Sequence, residues 1–270
     1  MKSISVFVSC ALLSISLCPL RSFAGPLHSF DPDVLSQILE RVKTDVSADL
    51  TPIIVFDLDD TLVNSTGRTV LILRQFASQP DVRTRYPQKS AKLLQVTETQ
   101  IHYNMADTFA ALGVTDSDLL KQAQSFWISR FLSSPYAAKD DEEPGAALYL
   151  QALVGAGAHL VYVTGRIQAQ MHDGTVEDME RLEFPLGTQG DLMMKQDPSM
   201  PDLTYKQAVF HQIAGEGDVV GAFENEPANV NAYLDAFPGA TAVFVKSISA
   251  GDPSTVRPEV HWIADFIGSW

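Results

Sequence analysis

The run Pro52–Ile53–Ile54–Val55–Phe56 leads straight into Asp57–Leu58–Asp59–Asp60–Thr61, and nothing else in the chain limits its fold as much. A short apolar stretch, rich in β-branched residues and without polar alternation, reads as a strand covered on both faces. That is the pattern of a parallel sheet packed between helices. The strand stops at two carboxylates spaced i, i+2, whose side chains leave an extended chain on the same side. Like charges held so close need a cation or a shared proton. Such a cluster at the carboxyl end of a strand marks a candidate site.

Further along, His159–Val163, Leu192–Met194, Val219–Phe223 and Thr241–Val245 read as strands. Helices are expected over 33–48, 145–154, 175–182, 204–213 and 227–236. Alternation of this kind implies right-handed crossovers and one parallel sheet, an α/β Rossmann-like core. Between the first two strands the alternation fails. Residues 67–140 are helical in pattern throughout, with helical segments over 67–77, 89–99, 101–112 and 116–132, although a crossover needs only about a dozen residues. They read as an inserted module that leaves the chain just past the carboxylates, over the edge where open α/β sheets take ligands. The expected organisation is an α/β core of residues 25–66 and 141–270 carrying a helical cap, 67–140.

Residues 1–24 are a separate object. Lys2, an apolar stretch from Ile4 to Leu17 and Ser22–Phe23–Ala24 form a secretory signal peptide pattern with cleavage expected after Ala24. Both cysteines, Cys10 and Cys18, fall inside it, so the mature chain is expected to lack disulfides, thiolate metal sites and a cysteine nucleophile. A secreted or periplasmic protein follows, with no stable membrane association after leader cleavage. The formal net charge is −14, and no basic run is present, so nucleic acid is not an expected partner.

Four motifs then fall in order at strand ends: D-L-D-D-T, T-G-R (Thr164–Gly165–Arg166), Lys206 in the helix before the fourth strand, and the acidic turn F-E-N-E-P (Phe223 to Pro227). Together, over residues 53–245, they resemble the haloacid dehalogenase (HAD) superfamily of phosphohydrolases with a C1-type helical cap. The resemblance implies that Asp57 is a nucleophile forming an aspartyl-phosphate and that Asp59 is the general acid and base. It gives Thr164 and the Gly165 N–H the phosphoryl oxygens, and gives Lys206 the charge on Asp57 and the phosphoryl group. It implies Mg²⁺ held by Asp57, the main-chain carbonyl of Asp59, Glu224 and Asn225.

The resemblance is not complete. The acidic turn departs from the aspartate-rich pattern of the family, with Asn225 or Asn229 standing where a second acid orders metal-bound water. Lys195, at the end of the third strand, competes with Lys206 for the same role. Arg166 reads as a surface or supporting charge, and His172 and His211 as ordinary residues. Arg68, nearest in sequence to the catalytic loop, is the expected substrate contact from the cap. Arg74, His102, Tyr103, Phe126, Trp127, Arg130 and Tyr136 are further candidates, although cap aromatics more often fill the cap's own core.

The expected activity is Mg²⁺-dependent hydrolysis of a small phosphorylated metabolite. A dehalogenase would have no use for Asp59. A phosphonatase would need a cap amine, for which Lys89, Lys92, Lys121 and Lys139 are present. A phospho-ligand binding protein that has lost turnover is the reading from a different class. Neither the substrate nor the oligomeric state is written in these residues.

Overall fold

The computed structural model describes residues 29–270; the expected leader lies outside them. After helix α1 (Val34–Ser47) the chain enters β1 (Pro52–Phe56), which becomes the centre of a six-stranded parallel sheet. Its neighbours are β4 (His159–Ile167) on one side and β6 (Asp218–Glu224) on the other. Outside these lie β5 (Gly190–Lys195) beside β4, and β7 (Thr241–Val245) then β8 (His261–Ile263) beside β6. The chain moves outward from β1 to β4 and β5, then returns across β1 to β6. Its direction therefore reverses beside β1, and the crevice at such a reversal is where open sheets admit ligands.

Period-two alternation sends successive β1 residues into two different cores. Ile54 and Phe56 pack with α1 and α8 (Ala146–Gly155) and with Met179 of α9 (Gln168–Arg181). Ile53 and Val55 pack on the other face with α10 (Asp202–Ala214) and α11 (Pro227–Ala236). All five β1 residues are buried, as the unbroken apolar run requires.

The inserted helices hang from a two-residue antiparallel ladder. In it β2 (Val63–Asn64) pairs with β3 (Asp141–Glu142), Val63 opposite Glu142 and Asn64 opposite Asp141. Between these stems run α2 (Thr66–Ser78), α3 (Pro80–Arg85), α4 (Pro87–Leu94), α5 (Met105–Ala111), α6 (Ser117–Phe131) and α7 (Ser134–Ala137). They share their own apolar core around Leu73, Phe76, Leu93, Phe109 and Leu119. Helix α7 docks on α9 at Gly174, where a Cβ would fall 2.0 Å from the Ser134 carbonyl oxygen. Only glycine permits that approach.

Several boundaries differ from the sequence reading. β4 continues through Thr164–Gly165–Arg166 to Ile167, which pairs with Lys195 across an irregularity in the ladder, and α9 starts at Gln168 instead of near Thr175. The helical patterns over 89–99 and 101–112 shrink to α4 and α5. The side chain of Asn104, accepting from the Asp107 N–H at 2.8 Å, caps α5, consistent with the preference of such residues for that position. β8 and the β2–β3 ladder are too short to register as patterns in sequence.

Candidate active site

The loop after β1 is folded by its own backbone. Leu58 O accepts from the N–H groups of Thr61, Leu62 and Val63, and Asp60 takes a left-handed conformation, φ 58°, one that aspartate tolerates better than most residues. This tight turn presents Asp57 and Asp59 to the crevice, where β4 brings Gly165 and Arg166 and β6 brings Glu224 and Asn225. A cleft of about 210 Å³ is lined by these residues together with Lys206, Asn229 and, from the cap side, Tyr103, Phe131 and Leu132.

Two charge clusters organise the floor. In the first, the Lys206 ammonium donates at 2.6 Å to Asp57 Oδ1 and at 2.6 Å to Glu224 Oε2. All three residues are buried. The other Asp57 oxygen accepts from the Thr61 hydroxyl at 3.1 Å. Burial pushes the Asp57 carboxyl up against the pull of Lys206. Burial, and then the adjacent Asp57 charge, push Glu224 to about 8. Burial would deprotonate Lys206, but the two carboxylates outweigh it and hold the ammonium charged.

The second cluster holds Asp59. Its Oδ1 accepts from Arg68 at 2.6 Å and Arg166 at 2.9 Å, and its Oδ2 from Arg166 Nε at 2.8 Å. Behind it, Asp140 accepts from Arg68 Nε at 2.8 Å and from Arg166 at 2.6 Å. Arg68 and Asp140 are fully buried and Arg166 nearly so. Burial would raise the Asp59 carboxyl, but Arg166 and Arg68 outweigh it and hold it well below the usual carboxylate range. Arg68 and Asp140 stand on the outgoing and returning stems of the insertion, so this network ties both stems to the loop after β1.

These positions revise several expectations. Arg68 is not a substrate contact here: its guanidinium is taken up by Asp59, Asp140 and the Phe131 carbonyl, with the Phe131 ring 4.3 Å away, and it does not line the cleft. Arg166, expected to be a surface or supporting charge, is the supporting one, a buried partner of Asp59. Thr164 stands at the sheet's carboxyl edge but is buried, its hydroxyl oxygen accepting from the Arg166 N–H at 3.2 Å. The cleft is lined by Gly165 beside it instead. Lys195 does not line the cleft and is taken up by Asp202, which does, whereas Lys206 is the lysine that reaches Asp57.

The cap candidates also separate. His102, Tyr103 and Trp127 line a cavity next to the cleft. Arg74 donates to the Val96 carbonyl at 2.6 Å, and Arg130 stacks 3.4 Å over Phe126. Tyr136 donates to Gln75.

Among the described residues no three acidic or histidine side chains converge into a ready-made cation site. Glu224 is turned toward Lys206 and the N–H groups of Asn225 and Glu226, and the Asp59 carboxylate toward arginine. The Thr61 hydroxyl lies within reach of both Asp57 Oδ2, at 3.1 Å, and Asn225 Oδ1, at 3.3 Å, which brings both oxygens to one hydroxyl. With the Asp59 main-chain carbonyl they would supply an all-oxygen donor set of a single formal charge. It fits a hard dication that keeps several waters, bound weakly.

Asp140, Asp178 and Arg181 were not among the site residues expected from the sequence. Arg181 donates to Asp178 Oδ1 at 2.7 Å and also reaches the Asp140 carbonyl. Asp178 Oδ2 is buried without a partner, and burial, reinforced by Asp140, pushes this carboxyl to about 6. A carboxyl whose folded value lies above its unfolded one stabilises the fold at low pH and loses that contribution as pH rises through the folded value. The Asp178→Asn protein should match wild type near pH 4. By pH 7 it should be the more stable by up to about 3 kcal/mol. Thermal melts across pH 4–8 check this; a gap that stays constant with pH refutes it.

No protein-family model matches the chain, and no curated protein matches it. Among solved structures, it superposes on a Clostridium difficile protein described provisionally as a phosphatase, with a TM-score of 0.52 and 14% identity, over 79% of this chain and 94% of that one. A predicted phosphoglycolate phosphatase from Haemophilus somnus gives a TM-score of 0.49 at 18% identity, over 80% of this chain and 95% of that one. A haloacid dehalogenase-like hydrolase from Streptococcus pneumoniae gives 0.47 at 11%, over 78% and 93%. The Clostridium difficile likeness speaks for fold and not for activity. The chain has the α/β fold expected of it, a Rossmann-like parallel sheet with helices inserted after the first strand.

Proposed function

We propose that this chain is a HAD-type phosphohydrolase that cleaves a small phosphomonoester through an aspartyl-phosphate on Asp57. The observation that carries the reading is the Asp57 carboxylate at the end of the central strand, 2.6 Å from the Lys206 ammonium, on the floor of a cleft beside the Gly165 main chain. A carboxylate oxygen so placed attacks phosphorus, and Lys206 and the backbone offset charge on the transferred group. Asp59 takes the acid and base role, oriented by both arginines. Mg²⁺ on Asp57, the Asp59 carbonyl and Asn225 would reduce the repulsion between phosphate and carboxylate.

Lys206 is the amine that lines the cleft among the described residues. Lys89 pairs with Asp116 and Lys92 with the carbonyls of Leu112 and Gly113, which speaks against a phosphonatase. Asn225, where a carboxylate would bind a dication better, favours one second reading, a protein that binds phosphorylated ligands and turns them over slowly. Export to the periplasm or medium belongs to the proposal through residues 1–24. Among the described residues no helix is long and apolar enough to cross a membrane.

The test is phosphate release from para-nitrophenyl phosphate and acetyl phosphate, with added Mg²⁺ and with chelator. The phosphatase reading expects Mg²⁺-stimulated turnover of at least one of them. Saturable phosphate binding without turnover supports the second reading instead.

A further inference from the structure

Beside the cleft lies a second, larger cavity of about 550 Å³, lined mainly by the inserted segment together with Asp60, Ser65 and Ile248. Asp60, Ser65, Tyr103 and Phe131 line both spaces, so the two are contiguous and a ligand can occupy them together. Most of the exposed wall surface is apolar, from Ile101, Met105, Trp127, Ile128, Phe131 and Ile248, while His102, Asn104, Gln124 and Ser125 are among its polar lining. The Trp127 and Phe131 rings stack 4.4 Å apart, and Trp127 Nε1 donates to Thr69 at 3.1 Å, which fixes the indole as a flat wall. A volume of this size suits a ring system, because small-ligand sites run from about 300 to 1,000 Å³.

Charge narrows the choice further. No lysine or arginine lines the cavity, and the carboxylate that does, Asp60, accepts from Ser65 N–H and hydroxyl. An anionic group beyond the phosphoryl would face Asp60 and mostly apolar surface, with the His102 imidazole in place of any lysine or arginine, at a cost in desolvation. Phosphocarboxylates and bisphosphates are therefore poor occupants.

We propose that the substrate is the phosphate monoester of an uncharged aromatic alcohol, its ring seated in the cap cavity and its phosphoryl group in the cleft. This rests on the phosphatase reading above. An Asp57 oxygen forms a bond to phosphorus as the bond from phosphorus to the aryl oxygen breaks, and the aryl oxygen leaves with the electron pair and takes a proton from Asp59. Water then attacks phosphorus, losing a proton to Asp59, and the bond to Asp57 breaks, which releases phosphate and restores the carboxylate.

The experiment compares kcat/KM of the wild-type chain for 1-naphthyl, phenyl and 4-carboxyphenyl phosphates, whose leaving groups have similar intrinsic reactivity. Naphthyl phosphate should exceed each of the other two by about ten-fold or more, the scale of discrimination by an apolar pocket. Ser125→Trp, which fills the cavity, should lower the naphthyl-to-phenyl ratio by a similar factor. Calorimetric titration of wild-type protein with 1-naphthol, which needs no variant, should show saturable binding. Equal efficiency on the three esters, a preference for the carboxylated one, or no binding of 1-naphthol overturns the proposal while leaving the phosphatase reading intact. If neither these esters nor acetyl phosphate is cleaved, the phosphatase reading fails and the proposal fails with it.

Discussion

The Asp57→Asn protein is expected to release phosphate about 10,000-fold more slowly than wild type or worse, the scale on which removing a nucleophile acts. The amide keeps the shape of the side chain, and its oxygen can still accept from Lys206, but it offers no anionic oxygen to phosphorus. The same change should not weaken the fold. In the native cluster two buried carboxylates face one ammonium, and burial with mutual repulsion raises both Asp57 and Glu224. Neutralising Asp57 leaves a one-to-one pair of Lys206 and Glu224, so the thermal midpoint should hold or rise while turnover vanishes. A variant that keeps a tenth of wild-type activity would remove Asp57 from the nucleophile's role. One that melts early would show that its charge is needed to build the site.

The largest loss of stability is expected from Asp140→Leu. Buried Asp140, Arg68 and Arg166 form, with the partly exposed Asp59, a group of two negative and two positive charges. Removing one carboxylate strands a guanidinium away from water, at a cost of about 3–5 kcal/mol. For a chain of this size that is a fall of roughly 10 °C in midpoint. The Arg68→Leu/Asp140→Leu double variant restores neutrality and fills the space with apolar side chains. It should lose less than the sum of its single variants, with a coupling of about 1–3 kcal/mol. Additive losses would mean that the four groups do not act as a unit and that the stems of the insertion are fastened by packing alone.

The legible parts of this chain were those carried by local pattern. The β1 run, the turn after it, the alternation through β7 and the place of the helical insertion each rest on residues close together in sequence. Lys206 could be favoured over Lys195 because its helix precedes the acidic turn, and the structure puts its ammonium between Asp57 and Glu224. Arg166 carried a usable signal only in its place, two residues past Thr164 in the T-G-R motif at the end of a strand. Asp140 carried none, being one acid in the run Asp140–Asp141–Glu142–Glu143.

Residue order by itself determined that a carboxylate-tipped strand would sit at the heart of a parallel sheet with helices inserted beyond it, because burial on both faces demands an unbroken apolar run. Only the tertiary structure decided which charges meet. Arg68 and Asp140 lie 72 residues apart, and an ion pair in the protein interior depends on which groups the fold desolvates together. That selection moved Arg68 from the substrate's side of the site to its foundation. The cap cavity has the same origin: Ile101, Trp127 and Ile248 enclose one space only once the helices and the sheet have come together.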